Sequence, residues 1–150
     1  MDCNRILDRL IVGEYPAAPE DAEWLSRRLG VTAVLNLQTD EDLMGLGVDW
    51  EQLEQAYARL GIEVRRVEIR DFDPDDLALH LQRAVRELRD LLEDGRTVYL
   101  HCTAGAGRSP SVATAYLYWV EGKGLVESER LVLSRRPCSP DLDAIEIASS

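Results

Sequence analysis

Apolar residues cluster along the chain in two rhythms. Short runs bounded by Gly, Pro or charge read as strands: Arg9-Leu10-Ile11-Val12-Gly13, Val31 to Leu37, Glu63 to Ile69 and Thr97-Val98-Tyr99-Leu100. Longer amphipathic stretches between them read as helices. Pro19 to Gly30 opens with Pro and acids and closes on Gly, and Asp49 caps a helix running through Leu60 to Gly61. A long helix spans about Asp75 to Leu92, and three more lie near 110–121, 125–134 and 140–149. Thr39 to Val48 is polar and Gly-containing and reads as a loop. The N-terminal Met1-Asp2-Cys3-Asn4-Arg5 leads directly into strand-like sequence, with no signal-peptide pattern. Strands alternating with helices predict an α/β domain of three layers, with a mostly parallel central sheet flanked by helices. At 150 residues the chain reads as a single domain, 1–150.

Composition narrows the partners. The net charge is −11, which disfavours nucleic acid and anionic membrane as partners. No apolar run approaches the length of a membrane span. Cys3, Cys102 and Cys138 are too few for a disulfide framework, which predicts free thiols in a cytoplasmic protein. A monomer is expected, although no residue pattern here decides the oligomeric state. A redox pairing of Cys138 with Cys102 stays open.

The segment His101-Cys102-Thr103-Ala104-Gly105-Ala106-Gly107-Arg108-Ser109 carries the chemistry. It follows a predicted strand and precedes a predicted helix with Pro110 in its first turn. Backbone amides at such a turn, from Thr103 through Gly107, would converge on an anion, reinforced by the helix dipole. Helix N-termini and cations favour the nucleophilic thiolate of a cysteine, and Cys102 would have both influences. Arg108 can grip two phosphate oxygens with its planar fork. Gly105 and Gly107 permit positive φ and close approach. His101 can orient the loop through its backbone, and Ser109 can donate to sulfur as it leaves. These residues suit a phosphocysteine mechanism. Ligand spacing for zinc is absent, as is the Gly-Lys-Ser/Thr ending of a nucleotide loop. Expelling an alkoxide needs an acid on another segment. The carboxylates of Asp71-Phe72-Asp73-Pro74-Asp75-Asp76 are candidates, although several could simply charge a helix N-terminus.

The pattern His-Cys-x-x-Gly-x-x-Arg-Ser resembles the signature of the cysteine-dependent protein tyrosine phosphatase superfamily. Asp71 lies 31 residues before Cys102, a spacing similar to that of its dual-specificity branch. The resemblance implies that Asp71 is the general acid, ahead of Asp73, and that no metal or other cofactor is needed. It also implies the protein tyrosine phosphatase-like fold. Leu10-Ile11-Val12-Gly13, Gly47-Val48-Asp49, Arg70-Asp71-Phe72-Asp73, Cys102-Thr103-Ala104-Gly105 and Leu142-Asp143-Ala144-Ile145 resemble the plant starch and glycogen (glucan) phosphatases more closely. Those enzymes remove phosphate monoesters from glucose units of amylopectin-like chains. By this likeness Phe72 and Asp73 would meet substrate. Trp50 is a further candidate, against an ordinary packing role.

The chain departs from the glucan pattern at its rim. Met44-Gly45-Leu46, Ser139 and Cys3 stand where relatives carry aromatics, and Ser109 replaces an Ala found in some of them. Two substrate classes therefore compete: phosphorylated glucan, and phosphoprotein as for a dual-specificity protein phosphatase. A polyphosphorylated lipid head group fits less well, because Thr103, Ala104, Ala106 and Gly107 are all neutral. A non-catalytic scaffold is disfavoured by the joint presence of Cys102, Arg108 and Asp71. His80, on the long helix, reads as a surface residue, and Arg135 and Arg136 either hold the C-terminal loop near the site or sit on the surface.

Overall fold

The computed structural model describes residues 1–150. The elements, in order, are β1 (Cys3–Leu7), β2 (Leu10–Gly13), α1 (Pro19–Leu29), β3 (Ala33–Asn36), α2 (Asp40–Gly45) and α3 (Trp50–Arg59), followed by β4 (Glu63–Arg66), α4 (Pro74–Glu93), β5 (Val98–His101), α5 (Arg108–Trp119), α6 (Leu125–Arg135) and α7 (Leu142–Ala148). The five strands form one sheet in the order β1-β2-β5-β3-β4. Strand β5 lies at the centre, parallel to β2 and β3, and β4 continues the parallel set. Only β1, hairpinned onto β2, runs antiparallel.

The strand pleat sorts side chains to two cores. Leu10, Val12, Ala33, Leu35, Val98 and Leu100 face one side, where they join buried residues of α4, α5, α6 and α7. Ile11, Val34 and Tyr99 face the other and pack with Leu25 of α1 and Leu53, Ala56 and Tyr57 of α3. Because β5 is covered on both faces, all four of its residues are buried. This is the predicted α/β architecture with a mostly parallel sheet. Helix α4 departs little from the expected span; Asp73 caps it by accepting from the Asp76 amide.

Three expectations need correction. Thr39–Val48 is not a loop throughout, since it contains α2. Thr39 accepts from the Asp42 amide and Asp42 accepts from the Thr39 amide, a reciprocal capping box that starts a helix in a polar segment. The first strand is β1, ahead of Leu10–Gly13; its only fully buried residue is Ile6, so it lacks a clear apolar rhythm. Strand β4 stops at Arg66, short of Ile69, although Val67 and Ile69 still donate backbone hydrogen bonds to Asn36 and Leu37. No helix is long and apolar enough to cross a membrane.

Candidate active site

Strand β5 delivers the chain to the carboxyl edge of the sheet, where ligands bind in parallel folds. Residues 102–107 then turn into α5, whose first residue is Arg108. The turn is organised by where its carbonyls go. His101 Nδ1 donates to the Cys102 carbonyl at 2.9 Å. The Tyr15 amide donates to Thr103 at 2.9 Å, and the Ser139 amide to Ala106 at 2.7 Å. Arg136 donates from Nη2 to Ala104 at 3.0 Å and from Nε to Gly105 at 2.7 Å. Gly107 accepts from the amide and hydroxyl of Ser111. Every carbonyl of the turn is thus held by a donor, while no amide of residues 103–107 donates to a protein backbone carbonyl. Carbonyls held outward leave amides turned inward, the geometry of an anion-binding nest.

Gly105 has φ 68°, and a Cβ there would lie 2.5 Å from backbone atoms of Gly13. Only glycine fits this approach of the turn to β2. The Cys102 thiol is 3% exposed, and its Sγ lies 3.2 Å from the fully buried Ser109 hydroxyl. Burial, together with the positive charges of Arg108 and Arg66, pushes His101 down to about 4, against the opposing effect of its bond to Cys102. The ring is therefore neutral at pH 7, with its proton on the Nδ1 that donates.

Arg108 is 4% exposed. Its Nη1 is tied to Asp42 and to the Ile69 carbonyl, each at 2.8 Å. Its Nη2 faces Thr103 Oγ1 at 3.3 Å and Asp71 at 3.3 Å. Burial disfavours an ionised Asp42, but bonds from Arg108 and Thr39 outweigh it and hold the carboxyl below the usual carboxylate range. Asp42 is the residue that sequence reasoning missed. The capping box at Thr39–Asp42 was the available signal, since it would have placed a helix and an inward carboxylate there.

The segment after β4 brings Asp71 over the turn. Asp76 accepts from the Arg70 amide at 2.7 Å and so pins the backbone just before Asp71. Asp73 is occupied as the cap of α4 and by an ion pair to Arg70 at 3.4 Å. His80, expected as a plain surface residue, is half-buried, with Nδ1 2.9 Å from the Asp76 carbonyl. A cleft of about 500 Å³ opens above Cys102 and Arg108, walled by Asp71, Phe72 and Asp73 on one side and Ser139 and Asp141 on the other. The structure therefore assembles His101 through Ser109 with Asp71, Phe72 and Asp73. It does not bring Trp50 to the cleft: Trp50 packs edge-on to Tyr57 and under the Arg66 guanidinium. All three cysteines are free, and the Cys138 thiol donates to the Arg136 carbonyl. No group of three His, Cys, Asp or Glu side chains is placed to hold a metal ion.

The family model described as dual specificity phosphatase, catalytic domain, matches residues 10–143. The chain belongs to the dual-specificity phosphatase family. This dual-specificity phosphatase domain is 41% identical over 150 residues to phosphoglucan phosphatase DSP4, amyloplastic, of Castanea sativa, covering 98% of this chain and 40% of that protein. It is 31% identical over 147 residues to laforin of Mus musculus, covering 91% of this chain and 44% of that one. Dual specificity protein phosphatase 26 of Homo sapiens is 33% identical over 116 residues, with coverage of 77% and 51%. The chain thus spans about half or less of the length of these relatives. Among solved structures, Tk-PTP in the active form superposes with a TM-score of 0.80 at 25% identity, covering 99% of this chain and 94% of that one.

Proposed function

We propose that residues 1–150 form one catalytic domain that hydrolyses phosphate monoesters of phosphorylated glucan through a phosphocysteine intermediate. The observation that carries the chemistry is the convergence of the Cys102 thiol, the anchored Arg108 guanidinium and the Asp71 carboxyl on a turn whose carbonyls all point away. The phosphoryl group sits on the amides of Thr103 to Gly107 and on the loop-facing edge of Arg108. Cys102 attacks phosphorus, and Asp71 gives its proton to the departing sugar oxygen. Asp71 then takes a proton from the water that attacks the phosphocysteine, and Ser109 donates to the sulfur as it leaves. Asp73 serves by capping α4 and holding Arg70, which fixes the acid segment.

The glucan reading is supported by the likeness to DSP4 over 98% of the chain and by Phe72, which is 97% exposed at the rim of an open cleft. An exposed aromatic face is a stacking surface for a sugar ring. A phosphoprotein substrate is the second reading, supported by the likeness to dual specificity protein phosphatase 26. A cytoplasmic monomer that binds neither nucleic acid nor membrane completes the proposal, in keeping with three free thiols and a net charge of −11.

The test compares phosphate release from solubilised phosphorylated amylopectin and from a phosphotyrosine peptide, with Cys102→Ser as the blank. Higher kcat/KM on amylopectin supports the glucan reading, and higher kcat/KM on the peptide replaces it with the second. Asp71→Asn is expected to lower kcat on either substrate by about 100-fold or more. Release by Cys102→Ser would end the thiolate mechanism.

A further inference from the structure

We propose that Arg136 is a positioning residue that sets the oxyanion affinity of the 102–107 turn, and that Asp2 and Asn4 set Arg136 in turn. The proposal rests on reading the turn as the phosphate site.

Arg136 is 3% exposed although it carries a full charge. It follows α6 directly, and Pro137 ends that helix. Its guanidinium bonds both ways. Toward the turn, Nη2 and Nε donate to the successive carbonyls of Ala104 and Gly105. Away from it, Nη1 donates to Asp2 Oδ1 and Asn4 Oδ1, each at 3.0 Å. One planar fork therefore spans two adjacent peptide groups at the apex of the turn, which a lysine ammonium could not do in the same geometry.

The consequence for anion binding is electrostatic. A carbonyl pulled outward turns its peptide dipole so that the following amide faces the bound phosphoryl group. Without Arg136, both carbonyls would lose these donors, a costly state for that of buried Gly105 and a lesser one for that of exposed Ala104. Their relief is to rotate toward the water of the cleft, which sets oxygens against the phosphoryl oxygens. Gly105, with φ 68° and no Cβ, offers little steric resistance to such a rotation. The ion pair to Asp2, whose side chain is 69% exposed, adds little stability by itself. With Asn4 it fixes the plane of the guanidinium.

The experiment measures tungstate, a tetrahedral oxyanion, by titration calorimetry on Cys102→Ser protein, with thermal melting alongside. Turnover of p-nitrophenyl phosphate is measured with Cys102 intact. Arg136→Lys is expected to fold and to weaken tungstate binding about ten-fold, the equivalent of one charge-assisted hydrogen bond, with KM rising in step. Arg136→Ala, where it folds, weakens binding further. The pair Asp2→Asn with Asn4→Ala weakens it about three-fold at an unchanged melting temperature, through loss of orientation. A folded Arg136→Lys protein with parental tungstate affinity overturns the proposal, even if its melting temperature falls, because that is the result of a purely structural role. Parental affinity in the Asp2/Asn4 pair overturns the N-terminal half. If the Cys102→Ser parent binds no tungstate, the phosphatase reading falls and takes this proposal with it. Binding by the parent and equally by Arg136→Lys removes this proposal alone.

Discussion

At the scale of single residues, His101 and Phe72 show opposite costs. His101 is buried beside the Tyr99 ring, and burial pushes it down to about 4. An unfolded chain takes up the proton nearer 6.5. As the pH falls, the unfolded state binds it first. This contribution to stability is therefore complete above pH 6.5 and disappears on the way down to about 4, a loss of about 3 kcal/mol. Melting temperatures between pH 7 and pH 4.5 should fall more steeply for the parent than for His101→Asn, and equal slopes would contradict the buried neutral ring. Phe72 is exposed and holds φ 56°, a left-handed conformation that side chains resist. Phe72→Gly should stabilise the fold by up to about 1 kcal/mol while Phe72→Ala does not. Both should raise KM for amylopectin and leave KM for p-nitrophenyl phosphate unchanged, as steady-state kinetics will show. The grouping of Cys102, Arg108 and Ser109 was legible in the sequence because they fall within one short segment whose spacing is its geometry. Asp42 reaches Arg108 from 66 residues away and Arg136 reaches Gly105 from 31 away, and such partnerships have no local pattern.

At the scale of elements, α2 is where pattern reading fell short. Its residues, Asp40-Glu41-Asp42-Leu43-Met44-Gly45, bury only Leu43, so the apolar rhythm that reveals α4 is missing. Its helical state comes from the capping box, and the same Asp42 oxygen that accepts from Thr39 also accepts from Arg108. The helix start and the Arg108 guanidinium are thus joined through one carboxylate. Asp42→Ala should cost about 1 kcal/mol through the lost cap and lower kcat/KM about ten-fold through a looser Arg108. Chemical denaturation and kinetics on p-nitrophenyl phosphate measure the two effects separately. Thr39→Ala serves as the control, because it weakens the cap and leaves the carboxylate. Strand β1 escaped for a related reason: an antiparallel edge strand with one face to solvent buries too little to stand out. The parallel strands β2, β3 and β5 were clear, since burial on both faces demands continuous apolar runs.

At the scale of the whole molecule, charge and connectivity matter most. A net charge of −11 repels a dianionic phosphate ester before it reaches the site. Salt screens that repulsion, with a Debye length of about 10 Å at 0.1 M. Raising salt from about 20 to 200 mM should raise kcat/KM for p-nitrophenyl phosphate by about two- to three-fold, and a fall would indicate a locally attractive mouth. Connectivity acts on a different clock. The outward carbonyls are held by Tyr15, Arg136 and Ser139, and Arg136 is also held by Asp2, 134 residues away. All five strands lie within residues 3–101, so during synthesis the whole sheet is available before the donors at 136 and 139 exist. A chain emerging from the ribosome can therefore hold the thiol and the sheet while its oxyanion cradle is still unset. On the proposed mechanism, reactivity toward phosphate esters waits until residues 136 to 139 have been added.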